Sequence, residues 1–189
     1  MVKILPLLTT DMNFYDAIEL HRQAKISDVI MGYCIDKAIR SSHGSDRDLA
    51  VKHPKATIAN IDKALDDIHW WVRISAMQHP SATTFHIDKA LNDDDYWVRR
   101  AGIRHPNVTS AHIDKALNDG YHPLRMDAIE HPNVTSAHID KALEDVSVLV
   151  REYAIKHPRA TSIHIDKALD DVHSWVRSVA MAIKKKRNL

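Results

Sequence analysis

The stretch His105-Pro106-Asn107-Val108-Thr109-Ser110-Ala111-His112-Ile113-Asp114-Lys115-Ala116-Leu117-Asn118-Asp119 recurs almost unchanged from His131 to Asp145. Looser copies open at His53, His79 and His157, so His-Pro pairs return every 26 residues. An Ile-Asp-Lys-Ala tetrad keeps the same interval at Ile35, Ile61, Ile87, Ile113, Ile139 and Ile165. It adds one copy upstream, in which Ser27-Asp28 replaces His-Pro. Self-similarity at a fixed period of this size admits few folds. Each unit is one supersecondary element that cannot bury its apolar face alone, so units must stack into a solenoid.

Each unit reads as two short helices. In the unit opening at His53, Pro54 stops the preceding helix and Thr57 caps the next. Ile61, Ala64 and Leu65 share one apolar face, and Asp62 and Lys63 fall off it. Asp67 is placed to cap the second helix, Val72, Ala76 and Met77 supply its buried side, and His79-Pro80 ends it. Neither helix reaches the roughly 12 residues at which an isolated helix becomes marginal, so stability must come from packing unit on unit. Upstream, Thr9-Thr10-Asp11 offers N-caps for a helix over 12–24, and Ser27 or Asp28 caps another through Ile39. A loop is expected over 41–46, then a shortened helix over 47–52. Gly120 and Pro123 predict a late start for the second helix of the fourth unit, which opens at His105. The expected fold is an all-α solenoid of six 26-residue two-helix repeats over 27–182. A helical cap over 1–26 precedes it and a basic tail over 183–189 follows.

Bulk properties exclude more than they suggest. A net charge of +1 and a pI near 8.0 are not those of a strongly basic nucleic-acid-binding domain. The single cysteine, Cys34, precludes an intrachain disulfide, reads as a small buried hydrophobe, and is compatible with a cytoplasmic setting. The apolar run Met1 to Leu8 is interrupted by Pro6 and is too short for a signal segment or a membrane span. No membrane partner is expected.

The second half of each unit reads Asp67-x4-Val72-Arg73-x2-Ala76, with Asp93/Val98/Arg99, Asp119/Leu124/Arg125, Asp145/Val150/Arg151 and Asp171/Val176/Arg177 in register. This resembles the HEAT-repeat signature, which implies a ladder of hydrogen bonds between units from that aspartate and that arginine. The His-Pro-x-x-Thr opening resembles the variant leucine-rich repeat, a related helical solenoid, and the resemblance implies a right-handed superhelix. The chain departs from the HEAT pattern in its short first helix. It departs from the variant leucine-rich pattern in lacking a cysteine cluster, so no iron–sulfur site carries over. The wording of the units is also similar to short repeat proteins of tailed bacteriophages, which would make a host protein the target. Physical chemistry supports the ladder independently. A carboxylate near a helix N-terminus is favourable, and arginine can engage it with two parallel bonds.

The histidines fall mostly into two columns: His53, His79, His105, His131, His157, and His86, His112, His138, His164. Stacked equivalents lie about 8–10 Å apart, too far to share an ion whose bonds to nitrogen are about 2 Å. No metal and no cofactor are expected. The His-Pro rings are expected to bond the last carbonyls of the helix they end. Repulsion between protonated neighbours and attraction to helix C-termini oppose each other, so no sharp pH switch is expected between pH 7 and 5. Candidate acids and hydroxyls recur with the unit, whereas a catalytic constellation should occur once. Neither enzymatic activity nor a small-molecule substrate is expected.

What varies between units is more informative. Positions i, i+4 and i+8 of the second helices read Trp70/Ile74/Gln78, Tyr96/Arg100/Arg104, His122/Met126/Glu130, Val148/Glu152/Lys156 and Ser174/Ser178/Ala182. The first two sets are aromatic and basic, flanked by Trp71, Trp97 and Arg99. Trp, Tyr and Arg are the usual anchors of interfaces. Trp70, Ile74, Tyr96, Trp97, Arg100, Arg104 and Met126 are therefore the candidate partner-binding residues, and Trp70, Ile74, Tyr96, Arg100 and Arg104 among them are expected to be solvent-exposed. The alternative for Trp71 and Trp97 is packing between units. A protein-binding scaffold is the leading expectation. The alternative is a nucleic-acid-binding protein resembling helical-repeat DNA glycosylases, with Arg99, Arg100, Arg104 and Lys184 to Arg187 on phosphates and Trp70 or Tyr96 stacked on bases.

Overall fold

In the computed structural model, which describes residues 12–188, the chain is all-α, with thirteen helices and no strand among the described residues. They fall into two compact units that divide between Ala90 and Leu91. The first holds α1 (Phe14–Arg22), α2 (Asp28–Ala38), α3 (Gly44–Lys52), α4 (Ile58–Ala64), α5 (Trp70–Gln78) and α6 (Thr84–Ala90). The second holds α7 (Tyr96–Ile103), α8 (Ser110–Ala116), α9 (His122–Ile129), α10 (Ser136–Ala142), α11 (Val148–Lys156), α12 (Ser162–Leu169) and α13 (Ser174–Arg187). No described helix is long and apolar enough to cross a membrane.

Within each unit a helix packs on its sequence neighbours, and second helices pack on second helices: α3 on α5, and α7, α9, α11 and α13 in series. This is the packing of a helical-repeat solenoid. The core repeats with the sequence. Ile35, Ile61 and Ile87 in the first unit, and Ile113, Ile139 and Ile165 in the second, are wholly buried, as are Val72, Val98, Val150 and Val176. Burying a side chain of this size is worth about 1.5–3 kcal/mol, which is how seven-residue helices such as α4 and α8 persist.

First-helix N-termini are fixed by capping boxes. Thr57, Thr109, Thr135 and Thr161 are the N-caps, answered three residues on by Asn60, His112, His138 and His164. The second helices begin differently. Asp67, Asp119, Asp145 and Asp171 accept from the N–H two residues on, that of His69, Tyr121, Ser147 and His173, at 2.7–2.9 Å. The expectation that Asp67 caps the helix directly is thus corrected, because the carboxylate fixes the turn that leads into it. In the second unit Asp93 does the same for the Asp95 N–H.

Several boundaries differ from the sequence reading. α1 starts at Phe14, capped by Asn13, whose side chain accepts from the Asp16 N–H; the caps expected at Thr9 to Asp11 lie outside the described residues. α3 is not shortened, for it begins at Gly44, in register with Trp70, and runs nine residues. α9 does not start late. It begins at His122 with Pro123 in its first turn, where a missing N–H costs nothing. Residues 183–187 continue α13 rather than leaving it as a tail; Lys184 pairs with Asp166 at 2.6 Å and Arg187 donates to the Ala160 carbonyl.

Candidate functional site

The ladder is present within both units. Arg47 reaches Asp67, Arg99 reaches Asp119, Arg125 reaches Asp145 and Arg151 reaches Asp171, each through Nε and Nη2 to the two carboxylate oxygens. The Nε contacts of the last three measure 2.8, 2.6 and 2.7 Å. Nη1 donates to the carbonyl of the aspartate six residues earlier, as from Arg125 to Asp119 at 2.9 Å. One guanidinium thus ties its own turn to the turn of the next repeat. Burial alone would raise the Asp145 and Asp171 carboxyls. The arginine, with the Ser147 or His173 N–H, outweighs burial and holds each below the usual range. Arg47 was not legible as a rung, because Ser41 stands where its own repeat needs an aspartate; Nη1 takes the Ser41 carbonyl instead.

The variable stripe has two characters. In the first unit Trp70 is exposed and Ile74 half-buried, while Trp71 stacks on His69 at 4.1 Å and stands edge-on to Trp70. In the second unit Trp97 and Arg104 are exposed, whereas Tyr96, Arg100 and Met126 are half-buried. The expectation of exposure holds for Trp70 and Arg104 and is corrected for Ile74, Tyr96 and Arg100, which are half-buried. For Arg100 the physical reason is visible at Asp127. This carboxylate, on a residue 8% exposed, accepts from Arg100 Nε at 2.7 Å and from Arg104 Nε and Nη2 at 2.9 and 2.6 Å. The same layer recurs elsewhere with other chemistry. Ser75 donates to Asp48 in the first unit, and in the second the buried Glu152 takes Lys156 and the Trp175 indole N–H at 2.7 Å. Positions that vary in the sequence thus include repeat-specific polar cross-links.

Beside Asp127, Arg100 is held against an aromatic ring. The Arg100 guanidinium carbon lies 5.5 Å from the Trp97 ring centroid, Tyr96 meets Tyr121 edge-on at 4.6 Å, and Trp97 tilts against Tyr96 at 5.0 Å. A cleft of about 390 Å³ is lined by Arg104, Asp127, Glu130 and the prolines Pro106 and Pro132. Sequence reasoning missed a further apolar edge. Tyr121, Val146, Leu149, Val172 and Trp175 are exposed, Val146 and Val172 by more than nine-tenths. Each sits in the turn before a second helix or in that helix's first turn. The available signal was valine at turn positions where neighbouring repeats carry Asp94 and Gly120.

The histidines take up structural bonds. His79 Nε2 lies 3.3 Å from the His53 carbonyl, the C-cap of the previous second helix; the expectation that these rings bond their own helix is corrected. Among the described residues no group of three or more His, Cys, Asp or Glu is placed to hold a metal ion. Cys34 is buried, which pushes its thiol up from the ordinary value. Lysines of the first helices reach carboxylates just past the end of the preceding repeat's first helix, Lys89 to Asp66 at 2.7 Å and Lys167 to Glu144 at 3.0 Å. No protein-family model matches the chain, and no curated protein matches it in sequence.

Proposed function

We propose that the protein is a non-enzymatic, HEAT-like protein-binding scaffold acting in the cytoplasm. In the second unit its partner meets the aromatic edge formed by Tyr96, Trp97 and Tyr121 with Arg100; Trp70 and Ile74 serve the first unit in the same way. One observation carries this reading. Trp97 is half exposed and is pre-organised, with Arg100 beside its ring and Arg100 itself clamped by a buried carboxylate. A rigid aromatic with a fixed guanidinium loses little entropy on binding, which is what interface anchors require. The two-helix repeat and the Asp–Arg ladder support the HEAT-like assignment, and the similarity in wording to phage repeat proteins makes a bacterial host factor the target to seek. Nucleic acid is the weaker reading, since Arg99, Arg100 and Arg104 are each already paired with a carboxylate, Asp119 or Asp127.

The test is affinity capture from a bacterial lysate with the parent and with Trp97→Ala. A stoichiometric protein retained by the parent and lost by the variant, at a melting temperature within a few degrees, supports the assignment. Equal retention by both, or salt-sensitive retention of nucleic acid alone, overturns it.

A further inference from the structure

Both histidine columns use Nδ1 as an acceptor. In the first helices the backbone N–H of Thr83, Thr109, Thr135 and Thr161 donates to Nδ1 of His86, His112, His138 and His164 at 2.7, 2.9, 3.0 and 2.9 Å. In the His-Pro column the N–H of the residue two positions on donates to Nδ1 at 3.1–3.2 Å, from Lys55 onto His53 through to Arg159 onto His157. An amide N–H only donates. Each Nδ1 therefore presents a lone pair, and each ring is the neutral tautomer with its proton on Nε2.

The far side of the ring couples repeats. Nε2 of His86 meets Asp62 at 2.9 Å. Nε2 of His138 and His164 meets the Ser110 and Ser136 hydroxyls at 3.2 and 3.1 Å, with Asp114 and Asp140 at 3.4 and 3.5 Å. Asn60 shows which property the fold uses here. It holds the same register one repeat before His86, accepts the Thr57 N–H at 2.8 Å and donates to Asp36 at 2.7 Å. An amide makes both bonds and does not titrate.

We propose that the histidine columns are a proton switch built into the repeat: a proton added to Nδ1 is set against the amide N–H it accepts, so N-caps and repeat-to-repeat bonds weaken together on acidification. The sign follows from linkage. Unfolded histidine takes up a proton near pH 6.5, whereas in the fold a proton on Nδ1 would face an amide N–H donor. His53, His131 and His157 are held below the ordinary value chiefly by burial. Stability is therefore full above about pH 6.5 and is lost as the pH falls toward the folded-state values. The charged and titratable groups facing the rings include Asp62, Asp114 and Asp140 in one column, and His21, Lys55 and Arg159 in the other. The aspartates, half exposed, favour the imidazolium and oppose the loss; the cations add to it. The expectation of mutually cancelling effects, built on ring spacing and helix dipoles, omitted the Nδ1 bond.

Urea unfolding at pH 7.5, 6.0 and 5.0 tests this on the parent and on a variant carrying H86N, H112N, H138N and H164N. Each ring neutral when folded and charged when unfolded raises the unfolding constant about tenfold per pH unit. The parent constant should rise by at least about tenfold between pH 7.5 and 5.0, and the variant, bonded as Asn60 is, should fold at pH 7.5 and rise less over the same range. A flat parent profile, or equal slopes in both, overturns the proposal. Should the quadruple variant not fold, nitrogen shifts of the rings in the parent at pH 7.5 decide. Protonated Nδ1 in His86, His138 and His164 overturns it, and the Nε2–H tautomer with lower stability at pH 5 supports it.

Discussion

Asp127 receives three N–H bonds from two arginines, Arg100 on α7 and Arg104 at its C-cap. At equivalent positions other repeats carry Ser75, Ala101, Tyr153 and Val179, so no pattern in the chain announces a carboxylate there. Its presence changes what a surface substitution does. Arg100→Glu at a free surface site would shift stability by no more than about 0.5 kcal/mol. Here it places a second carboxylate against a buried one and removes a partner, so a loss of about 2 kcal/mol is expected in urea unfolding. Trp97→Ala, half exposed and without a bond to Asp127, should cost about 1 kcal/mol or less. If Arg100→Glu unfolds at the parent's urea midpoint, Arg100 is not clamped as described.

At the scale of the helix, α3 shows where a glycine is required. A Cβ on Gly44 would lie 2.5 Å from His69 Cδ2 and 3.5 Å from the Trp71 ring, and those two rings are stacked on each other. Gly44→Ala must push His69 aside and disturb that stack. It should lower stability by about 1–3 kcal/mol, although alanine is the better helix former by about 1 kcal/mol. Gly120→Ala is the control: nothing stands within 4 Å of its Cβ, so no steric loss is expected, and thermal melts separate the two. The number and order of helices were legible because the Ile-Asp-Lys-Ala tetrad and the His-Pro pairs punctuate every repeat. The starts of α3 and α9 were not. Gly44 and Pro123 read as breakers, but packing against neighbouring helices and the aspartate-fixed turn before α9 set the boundary instead. The candidate site was legible in part for a similar reason. Helical spacing shows that Tyr96, Arg100 and Arg104 share a face, but not that a partner stands 23 to 27 residues on in the next repeat.

Across the molecule, stability is carried by contacts between neighbouring repeats, and the ladder makes that divisible. In a solenoid each repeat touches only its neighbours, so total stability is close to a sum of repeat and interface contributions. The rung from Arg99 to Asp119 shares no side chain with the rung from Arg151 to Asp171, whereas Arg125 and Asp145 are two halves of one rung. Arg125, only 8% exposed, leaves Asp145 buried without its cation when truncated, so Arg125→Ala should cost about 3 kcal/mol. Arg99→Ala should cost less, about 1–3 kcal/mol, because that pair is more open to water. Joined in one chain, Arg99→Ala and Arg151→Ala should add to within about 0.5 kcal/mol. Arg125→Ala with Asp145→Ala should not: the second change removes the stranded charge, and the double variant should lose at least about 1 kcal/mol less than the sum of the singles. Urea unfolding of these variants reads both cycles. Additivity within the Arg125–Asp145 rung would mean the two side chains do not bond in solution. A large coupling between the Arg99 and Arg151 rungs would mean the repeats do not act as a chain of nearest neighbours.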